Sequence, residues 1–465
     1  MKTYILITLF LFPGSYLLAQ ERLSLEDCRR MALEHSERIT IARLQLEKAR
    51  AEQAAMRTSY LPALSASATG LYLHNSIDME FTLPTMVPDL TTGQLVPNVM
   101  THPISGDVII GPDGNPAFNM YAWLPLEVSL QGAYLAGLSV EQPLYTGGKI
   151  AAGNAMTRIA ADMAGDNLVL QRANTLFETD QAYWIYGSVQ EMVKLATAYA
   201  TLLEELEQQV QHAWETGYVT RNEWLKVAVR HNEARLGLQK AQSGLELSRM
   251  ALCRLIGLPF DTPIEISDEQ LFSTQQTLWL HADVANRPEY RLMQRQVDLA
   301  REQTKLVRAG FLPTAGVSAG YTYVGGIDFG TSTYEEGNFS VIASVNIPLF
   351  HWGEGRRKVQ AARHDQAISQ ARLEESTGLL SLEMEQARLH MADAMKRVEM
   401  AEQSMEQAEE NLRVNQDNFE LDMGVLSDLL EAQAHWQQAH SDLVEALTDL
   451  RIKETAWQKA SGNLE

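Results

Sequence analysis

The sequence repeats one order of segments twice, and this duplication constrains the fold more than any other feature. A helical run ends at Tyr60-Leu61-Pro62, and a similar run in the second half ends at Phe311-Leu312-Pro313. A second pair of similar segments contains Pro143 and Pro348, and a third pair surrounds two glycines further along. Three similar pairs in the same order indicate an internal duplication. Each copy is predicted to contain a helix, two strands, a very long helix and a final helix.

The N-terminus has the pattern of a cleaved secretory signal. Residues 1–20 contain one cation, Lys2, followed by an apolar run from Tyr4 to Phe12 and by the small residue Ala19. This is the usual layout of a signal peptide. The apolar run is shorter than the ~20 residues that a membrane-spanning helix needs. Since no other stretch is apolar enough for such a helix, strands must make any contact with a bilayer.

Charge and cysteine content exclude several classes of function. The net charge is −21, and removing Lys2 with the signal changes it to −22. So acidic a chain is not expected to bind nucleic acid, which requires clustered cations. The two cysteines, Cys28 and Cys253, lie in different copies and within helical patterns, so neither a disulfide framework nor a zinc site is predicted. We expect two buried thiols, with no metal and no cofactor.

Two long stretches without proline predict very long helices. No proline occurs between Pro143 and Pro259, or after Pro348. Proline breaks helix interiors, so both stretches can be almost wholly helical. We predict helices over 148–214 and 355–421, each ~100 Å long at ~1.5 Å per residue. In the second, apolar or small residues recur every three and four positions, as in a coiled-coil seam: Met384, Ala387, Met391, Ala394, Val398, Ala401, Met405, Ala408 and Leu412.

A glycine turn follows each long helix and leads to a returning helix. The returning helices are predicted over 220–256 and 427–460. Gly217 and Gly424 are expected to end the long helices in the left-handed conformation. Thr220 and Ser427 are expected to be the N-caps of the returning helices. Each copy therefore ends in a helical hairpin with a glycine at its tip.

Alternating apolar and small or polar residues predict two strands in each copy. The predicted strands are 61–75, 131–145, 312–327 and 338–349. This alternation is typical of a membrane barrel around a wet lumen, and equally of a half-buried soluble sheet. Residues 76–130 hold seven of the fifteen prolines and are predicted to form an external loop.

These elements divide the mature chain into two repeats. The first repeat covers 21–256, an inter-repeat equatorial segment covers 257–285, and the second repeat covers 286–465. Four strands cannot close a barrel, and open strand edges cannot face lipid. The chain must therefore oligomerise if its strands enter a membrane, and a trimer would supply twelve strands.

The residues resemble the TolC family of outer-membrane efflux channels over roughly 21–460. The resemblance is carried by the duplicated order of segments and by short motifs. These motifs are Leu23-Ser24-Leu25-Glu26-Asp27-Cys28 with Ala32-Leu33, Asn286-Arg287-Pro288-Glu289, the Leu-Pro pair before each first strand, and Pro143 and Pro348. The resemblance implies an α+β membrane protein. Three copies would form a twelve-stranded β-barrel in the outer membrane of a Gram-negative bacterium, and their long helices a periplasmic α-barrel.

The resemblance also implies partners and functional residues. A periplasmic adaptor protein and an inner-membrane transporter would open the closed periplasmic end. The residues matching the adaptor contacts are Gly217, Val219, Thr220, Gly424, Leu426 and Ser427. The residues matching the pore constriction are Asp428, Glu431 and Glu223. Asp428 follows its glycine by four residues and Glu223 follows its glycine by six. A two-residue register shift between the two repeats would turn Asp428 away from the lumen and leave it a solvated surface carboxylate.

Function is predicted from the resemblance and from what the sequence lacks. There is no Gly-rich phosphate loop, no metal-spaced Cys/His set and no nucleophile elbow, so an enzyme is not expected. The predicted function is a passive exit channel for small molecules or drugs. A type I protein-secretion conduit and a metal-ion efflux channel remain alternatives. A structural coiled-coil surface protein is the alternative from another class.

Overall fold

The computed structural model describes residues 22–84, 86–89, 92–112, 114–119, 121–266, 282–329, 332–421 and 423–464. The predicted signal peptide, 1–20, and much of the predicted inter-repeat segment, 257–285, lie outside these residues. The helices are α1 (Leu25–His35), α2 (Glu37–Thr58), α3 (Lys149–Glu215), α4 (Arg221–Ile256), α5 (Pro288–Ala309), α6 (Glu354–Glu420) and α7 (Leu426–Ala460). The strands are β1 (Arg22–Leu23), β2 (Ala63–Pro84), β3 (Met86–Pro88), β4 (Leu95–Pro97), β5 (Tyr121–Tyr145), β6 (Glu265–Ile266), β7 (Thr314–Phe329) and β8 (Ser332–Asn346).

The lengths of corresponding helices agree with an internal duplication. Helices α2 and α5 have 22 residues each, and α3 and α6 have 67 residues each. The returning helices α4 and α7 have 36 and 35 residues. Among the described residues, no helix combines the length and hydropathy needed to cross a membrane.

Contacts divide the chain into two compact units. One unit comprises Ala54–Asn154 and Lys305–Gln360, and the remaining segments form the other. The first of these, the strand unit, contains a four-stranded sheet in the order β2-β5-β7-β8. Every neighbouring pair in this sheet is antiparallel. Strands from both repeats therefore meet in one sheet, with β5 paired to β7.

The register of the sheet gives it one apolar face and one face of small and polar residues. On the apolar face, Leu138 of β5 lies between Ala66 of β2 and Tyr321 of β7, which in turn pairs with Phe339 of β8. One position along β5, Ser139 lies between Ser65 and Gly320 on the opposite, polar face. Because the same alternation runs through four strands in register, the two faces extend across the sheet.

The strands in the first repeat are longer than predicted, so the external loop prediction for 76–130 was wrong at both ends. Strand β2 continues to Pro84, and β5 begins at Tyr121, with Ile77 paired to Leu130 after a register shift. The loop was predicted from the prolines of this region. In the structure the two strands stay paired on both sides of a second register shift, which lies between Phe81 and Leu83. Proline is tolerated at bulges and strand ends, so backbone pairing continues through this region. The predicted strand 338–349 also differs from the observed strand, since β8 covers 332–346.

The other unit, the helical unit, confirms the predicted seam along α6. Met391, Ala394, Val398 and Ala401 are buried. Val398 and Ala401 share an apolar cluster with Ala446 of α7. The small alanines at these positions allow the two helices to approach closely.

A second apolar cluster holds both cysteines. It joins α1, the middle of α3, the end of α4 and the short parallel pair β1 and β6. Cys28 and Cys253 are free and fully buried, as predicted. Burial raises the pKa of the Cys28 thiol to about 12. Since the thiolate is the reactive form, these cysteines act as small apolar core residues.

Two buried charged groups link helices that are far apart in sequence. Asp180 of α3 is fully buried, and Arg29 of α1 donates to its Oδ1 from Nε at 2.8 Å. Thr455 of α7 donates to the same carboxylate at 3.0 Å.

The second buried charged group is Arg287, before α5, which is 1% exposed. Its guanidinium contacts Glu289 at 3.1 Å and Glu383 of α6 at 2.9 Å.

Candidate functional site: the two hairpin tips

The first hairpin tip has the conformation predicted from its glycine. Gly217 follows α3 with φ of 84°. Its N–H donates to the carbonyl of Trp214 at 3.0 Å, and the N–H of Tyr218 donates to the carbonyl of Ala213 at 2.8 Å. These bonds satisfy carbonyl groups at the end of the helix. The left-handed conformation at Gly217 is confirmed.

A reciprocal capping box starts the returning helix α4. The Thr220 hydroxyl accepts a hydrogen bond from the N–H of Glu223 at 3.3 Å. The Glu223 carboxylate accepts one from the N–H of Thr220 at 2.8 Å. Thr220 is therefore the N-cap, as predicted. The carboxylate of Glu223, a predicted constriction residue, is engaged in fixing the start of α4.

The second tip turns differently, and two predictions for it were wrong. Gly424 does not adopt a positive φ. Instead, the N–H groups of Met423 and Gly424 both donate to the carbonyl of Asn418, at 2.8 and 3.1 Å. The N-cap of α7 is Val425, which supplies no side-chain bond, rather than Ser427. The turn closes immediately after the glycine, so Ser427 lies inside the helix and its hydroxyl donates to Asp428 at 3.3 Å.

This early start of α7 removes the two-residue register shift between the two repeats. Helix α4 begins at Arg221 and α7 begins at Leu426. Glu223 and Asp428 are therefore each the third residue of their helix, although their distances from the glycines differ. The two carboxylates occupy equivalent positions, but among the two only Glu223 belongs to a capping box.

Asp428 and Glu431 have different surroundings. Both are exposed. Glu431 Oε1 lies 3.5 Å from Nε2 of His435, one turn along α7. Glu431 also lines a groove of about 780 Å³ between α4 and α7, which Lys226 and Arg230 of α4 line as well. Lys226 offsets part of the negative potential at Glu431, whereas Arg230 is paired with Glu233 of the same groove at 2.9 Å. Asp428 therefore has the less compensated charge of the pair.

The predicted adaptor-contact residues divide into buried and exposed groups. Leu426 is buried, and Val219 packs against the same cluster, which joins the two hairpins.

Sequence reasoning missed the apolar residues that are accessible at the tips. Tyr218 is 87% exposed and Met423 is 71% exposed, and Val425 is exposed as well. Their position beside the tip glycines was the available signal, since large apolar residues in tight turns seldom serve the turn itself.

The cluster beneath the tips holds the hairpins together. Its fully buried members include Leu203 of α3 and Val227 of α4, and Leu429 of α7 is also buried. Trp214 and Trp224 stack across the first hairpin with ring centroids 5.0 Å apart and planes 5° apart. Residues from both hairpins therefore contribute to one apolar core, which couples the positions of the two tips.

Comparisons with known proteins agree with this arrangement. Residues 279–463 match the family model described as outer membrane efflux protein. The chain is 24% identical over 344 residues to the alkaline protease secretion protein AprF of Pseudomonas aeruginosa, covering 70% of this chain and 68% of AprF. Its fold resembles crystal structures of CusC (TM-score 0.73, 15% identity, 94% of this chain and 91% of that one) and of the Neisseria gonorrhoeae MtrE outer membrane channel in its open state (TM-score 0.72, 18% identity, 95% and 89%).

The duplicated hairpins and the four-stranded sheet give the chain the fold of outer-membrane channels such as CusC and MtrE. Such proteins are conduits and not enzymes. The chain therefore resembles the TolC-like outer membrane efflux proteins, which lie in the outer membrane of Gram-negative bacteria and extend into the periplasm. Family members work as trimeric channels with adaptor and inner-membrane partners.

Proposed function

We propose that three copies of this chain form the passive exit channel of a tripartite export system. The observation that carries the proposal is the sheet order β2-β5-β7-β8, in which β2 and β8 are the outer strands of the described sheet. Unpaired backbone groups facing lipid cost several kcal/mol each. Strands β2 and β8 run in opposite directions, so β8 of one copy can pair antiparallel with β2 of the next. Three copies close twelve strands by rotational symmetry.

We assign the opening of the channel to two partner proteins, a periplasmic adaptor and an inner-membrane transporter. A periplasmic adaptor would contact the tips around Gly217, Thr220, Gly424 and Ser427. Exposed Tyr218, Met423 and Val425 would supply the apolar contact area, while Val219 and Leu426 hold the tips from within. The adaptor and an inner-membrane transporter must favour the open tip over the closed tip by a few kcal/mol to shift the population.

We assign the pore constriction mainly to Asp428, and we expect Glu431 to contribute less of its negative potential. Repeated three times about the channel axis, exposed carboxylates at the start of α7 would concentrate negative potential in a narrow passage. Glu223 is assigned a smaller part, because its carboxylate already accepts the N–H of Thr220.

The proposed cargo is small molecules or drugs, in line with the efflux description of the family model. Protein secretion is the second candidate, and the similarity to the alkaline protease secretion protein AprF favours it. A strain lacking this protein separates the two, since the first predicts sensitivity to toxic small molecules and the second predicts a missing secreted protein.

Detergent-extracted protein is expected to be a trimer of ~150 kDa, three copies of the 52.0 kDa chain without its signal. In planar bilayers it should give conducting channels, because closure of the strands creates an aqueous path. Light scattering with subtraction of bound detergent measures the mass, and single-channel recording measures the conductance. A water-soluble monomer without a detergent belt would overturn the proposal and favour a coiled-coil surface protein.

Neutralising Asp428 (Asp428→Asn) should weaken block by divalent cations and lower the preference for cations, because the constriction loses one charge per subunit. Glu431→Gln should have a smaller effect, since His435 lies 3.5 Å from the Glu431 carboxylate and Lys226 shares its groove. Reversal potentials and block by Mg²⁺ measure both effects. Asp442→Asn, an exposed carboxylate further along α7, is the matched control. Unchanged selectivity and block in the Asp428 variant would remove this residue from the constriction.

A further inference from the structure

The carboxylate of Glu141 lies on the polar face of the sheet, at the end where β2 begins. Glu141 of β5 pairs with Ala63 of β2 and with Ser318 of β7, so it shares a face with Ser65, Ser139 and Gly320. Glu141 is exposed, and its cross-strand neighbours are small. No bulky side chain among these neighbours separates its charge from the space above the sheet.

That space is open and concave. Glu141 lines a cavity of about 830 Å³ together with Thr314, Gly316, Ser318 and Ser344 of the same polar face. If the sheet closes as proposed, this face lines the lumen of the barrel. Twelve strands ~4.8 Å apart and tilted ~40° give a barrel radius of roughly 12 Å. Three Glu141 carboxylates would therefore lie within a Debye length of the channel axis at ~10 mM salt, where that length is ~30 Å.

The four strands of the sheet and the segments that connect β2 to β5 and β7 to β8 contain no lysine or arginine. The sequence has no Lys or Arg between Arg57 and Lys149, or between Arg308 and Arg356. These two segments contain every strand of the four-stranded sheet and eleven acidic residues. The negative potential at Glu141 is therefore not compensated by a lysine or arginine from the strands or their connections.

Unlike Glu141 of β5, the two carboxylates of β8 have hydrogen-bond donors close to them in the described part of the chain. Glu335 lies on the apolar face, where Tyr134 donates to it at 3.0 Å and Tyr323 at 3.1 Å. Glu336 lies on the polar face near the far end of the sheet, where Tyr334 donates to it. Glu335 therefore carries the same charge in the same sheet as Glu141, but on the opposite face.

We propose that Glu141 makes the strand-built part of the channel selective for cations, independently of the constriction at the helical tips. The inference rests on the proposed conduit, and it predicts the charge of the molecules that the conduit carries. Cationic and neutral molecules pass the barrel freely, whereas anionic molecules meet a ring of three carboxylates on strands that contain no lysine or arginine. Charge selection therefore occurs at two places along the path.

The test uses the full-length trimer with the constriction already neutralised (Asp428→Asn with Glu431→Gln). In planar bilayers under a KCl gradient near ~10 mM, this background should keep a cation preference. Adding Glu141→Gln should reduce the K⁺ to Cl⁻ permeability ratio about threefold or more, and Glu141→Lys should reverse the preference. At ~1 M salt, where the Debye length is ~3 Å, the difference should disappear.

Two variants serve as controls. Glu335→Gln removes the same charge from the apolar face and should leave the permeability ratio unchanged, while Glu141→Asp keeps the carboxylate and should retain the preference. An unchanged ratio in Glu141→Gln channels of normal conductance would overturn the inference and leave the conduit standing. Absence of conductance in the unmodified protein would instead overturn the conduit, and the inference with it.

Discussion

Replacing Asp180 with alanine should lower the free energy of unfolding by ~3 kcal/mol or more. Asp180 has no exposed surface, and it holds both Arg29 and Thr455. The hydrogen bond to Asp180 is the largest cause of the raised pKa of Arg29. Without the carboxylate, a guanidinium that is 23% exposed loses its buried partner. The loss should appear as a lower urea midpoint in the circular dichroism of the detergent-solubilised protein.

A second acidic residue of α3 provides the control for Asp180. Asp162 pairs with Arg295 at 3.1 Å, and its side chain is 47% exposed. Exposed pairs contribute roughly 0–1 kcal/mol, so Asp162→Ala should leave the midpoint almost unchanged. Replacing Asp180 and Arg29 together by apolar residues should recover much of the stability, because no unpaired charge then remains. Equal midpoints for the Asp180 and Asp162 variants would contradict the proposed importance of the buried pair.

Replacing Arg287 with alanine should have the next largest effect, about 3 kcal/mol of unfolding free energy. The side chain is buried between the start of α5 and the middle of α6. There it contacts Glu289 and Glu383, and donates to the carbonyl of Leu380 at 3.5 Å. Its removal leaves a cavity and a carbonyl without this donor. Urea unfolding at matched protein concentration measures the loss.

Arg287→Lys should recover only part of this stability, since a single ammonium group cannot reproduce the forked contacts of the guanidinium. Arg301 on α5 offers a matched control, because it pairs with Asp298 at 3.0 Å on an exposed surface. Arg301→Ala should change the midpoint by less than the equivalent of ~0.5 kcal/mol. If Arg301→Ala proved as costly as Arg287→Ala, the burial of Arg287 would not be the reason for its effect.

The sequence predicted the elements well where local periodicity determines them. The long helices were predicted over 148–214 and 355–421 and are observed at Lys149–Glu215 and Glu354–Glu420. The error at 76–130 has a different origin. The prolines suggested a loop, but pairing between distant strands continues past a register shift, and single-sequence patterns do not report such pairing.

The tips show the same division between local and distant information. Thr220 was predicted as an N-cap from its position after the glycine turn, and its capping-box partner Glu223 lies only three residues away. Ser427 was misassigned because the carbonyl of Asn418 closes that turn before the serine is reached. The motif around Arg287 was noticed only as a resemblance. Its physical role depends on Leu380 and Glu383, more than 90 residues away, which no local pattern could reveal.

The two outer strands of the sheet come from different repeats, β2 from the first and β8 from the second. In the proposed ring, each junction between neighbours therefore joins two unlike edges, and every subunit takes part in two junctions. A subunit with a damaged outer edge would interrupt the ring even between two intact neighbours. If intact and damaged subunits were made in equal amounts and mixed freely, about one ring in eight would contain intact subunits alone. Damage to either outer strand should therefore be genetically dominant.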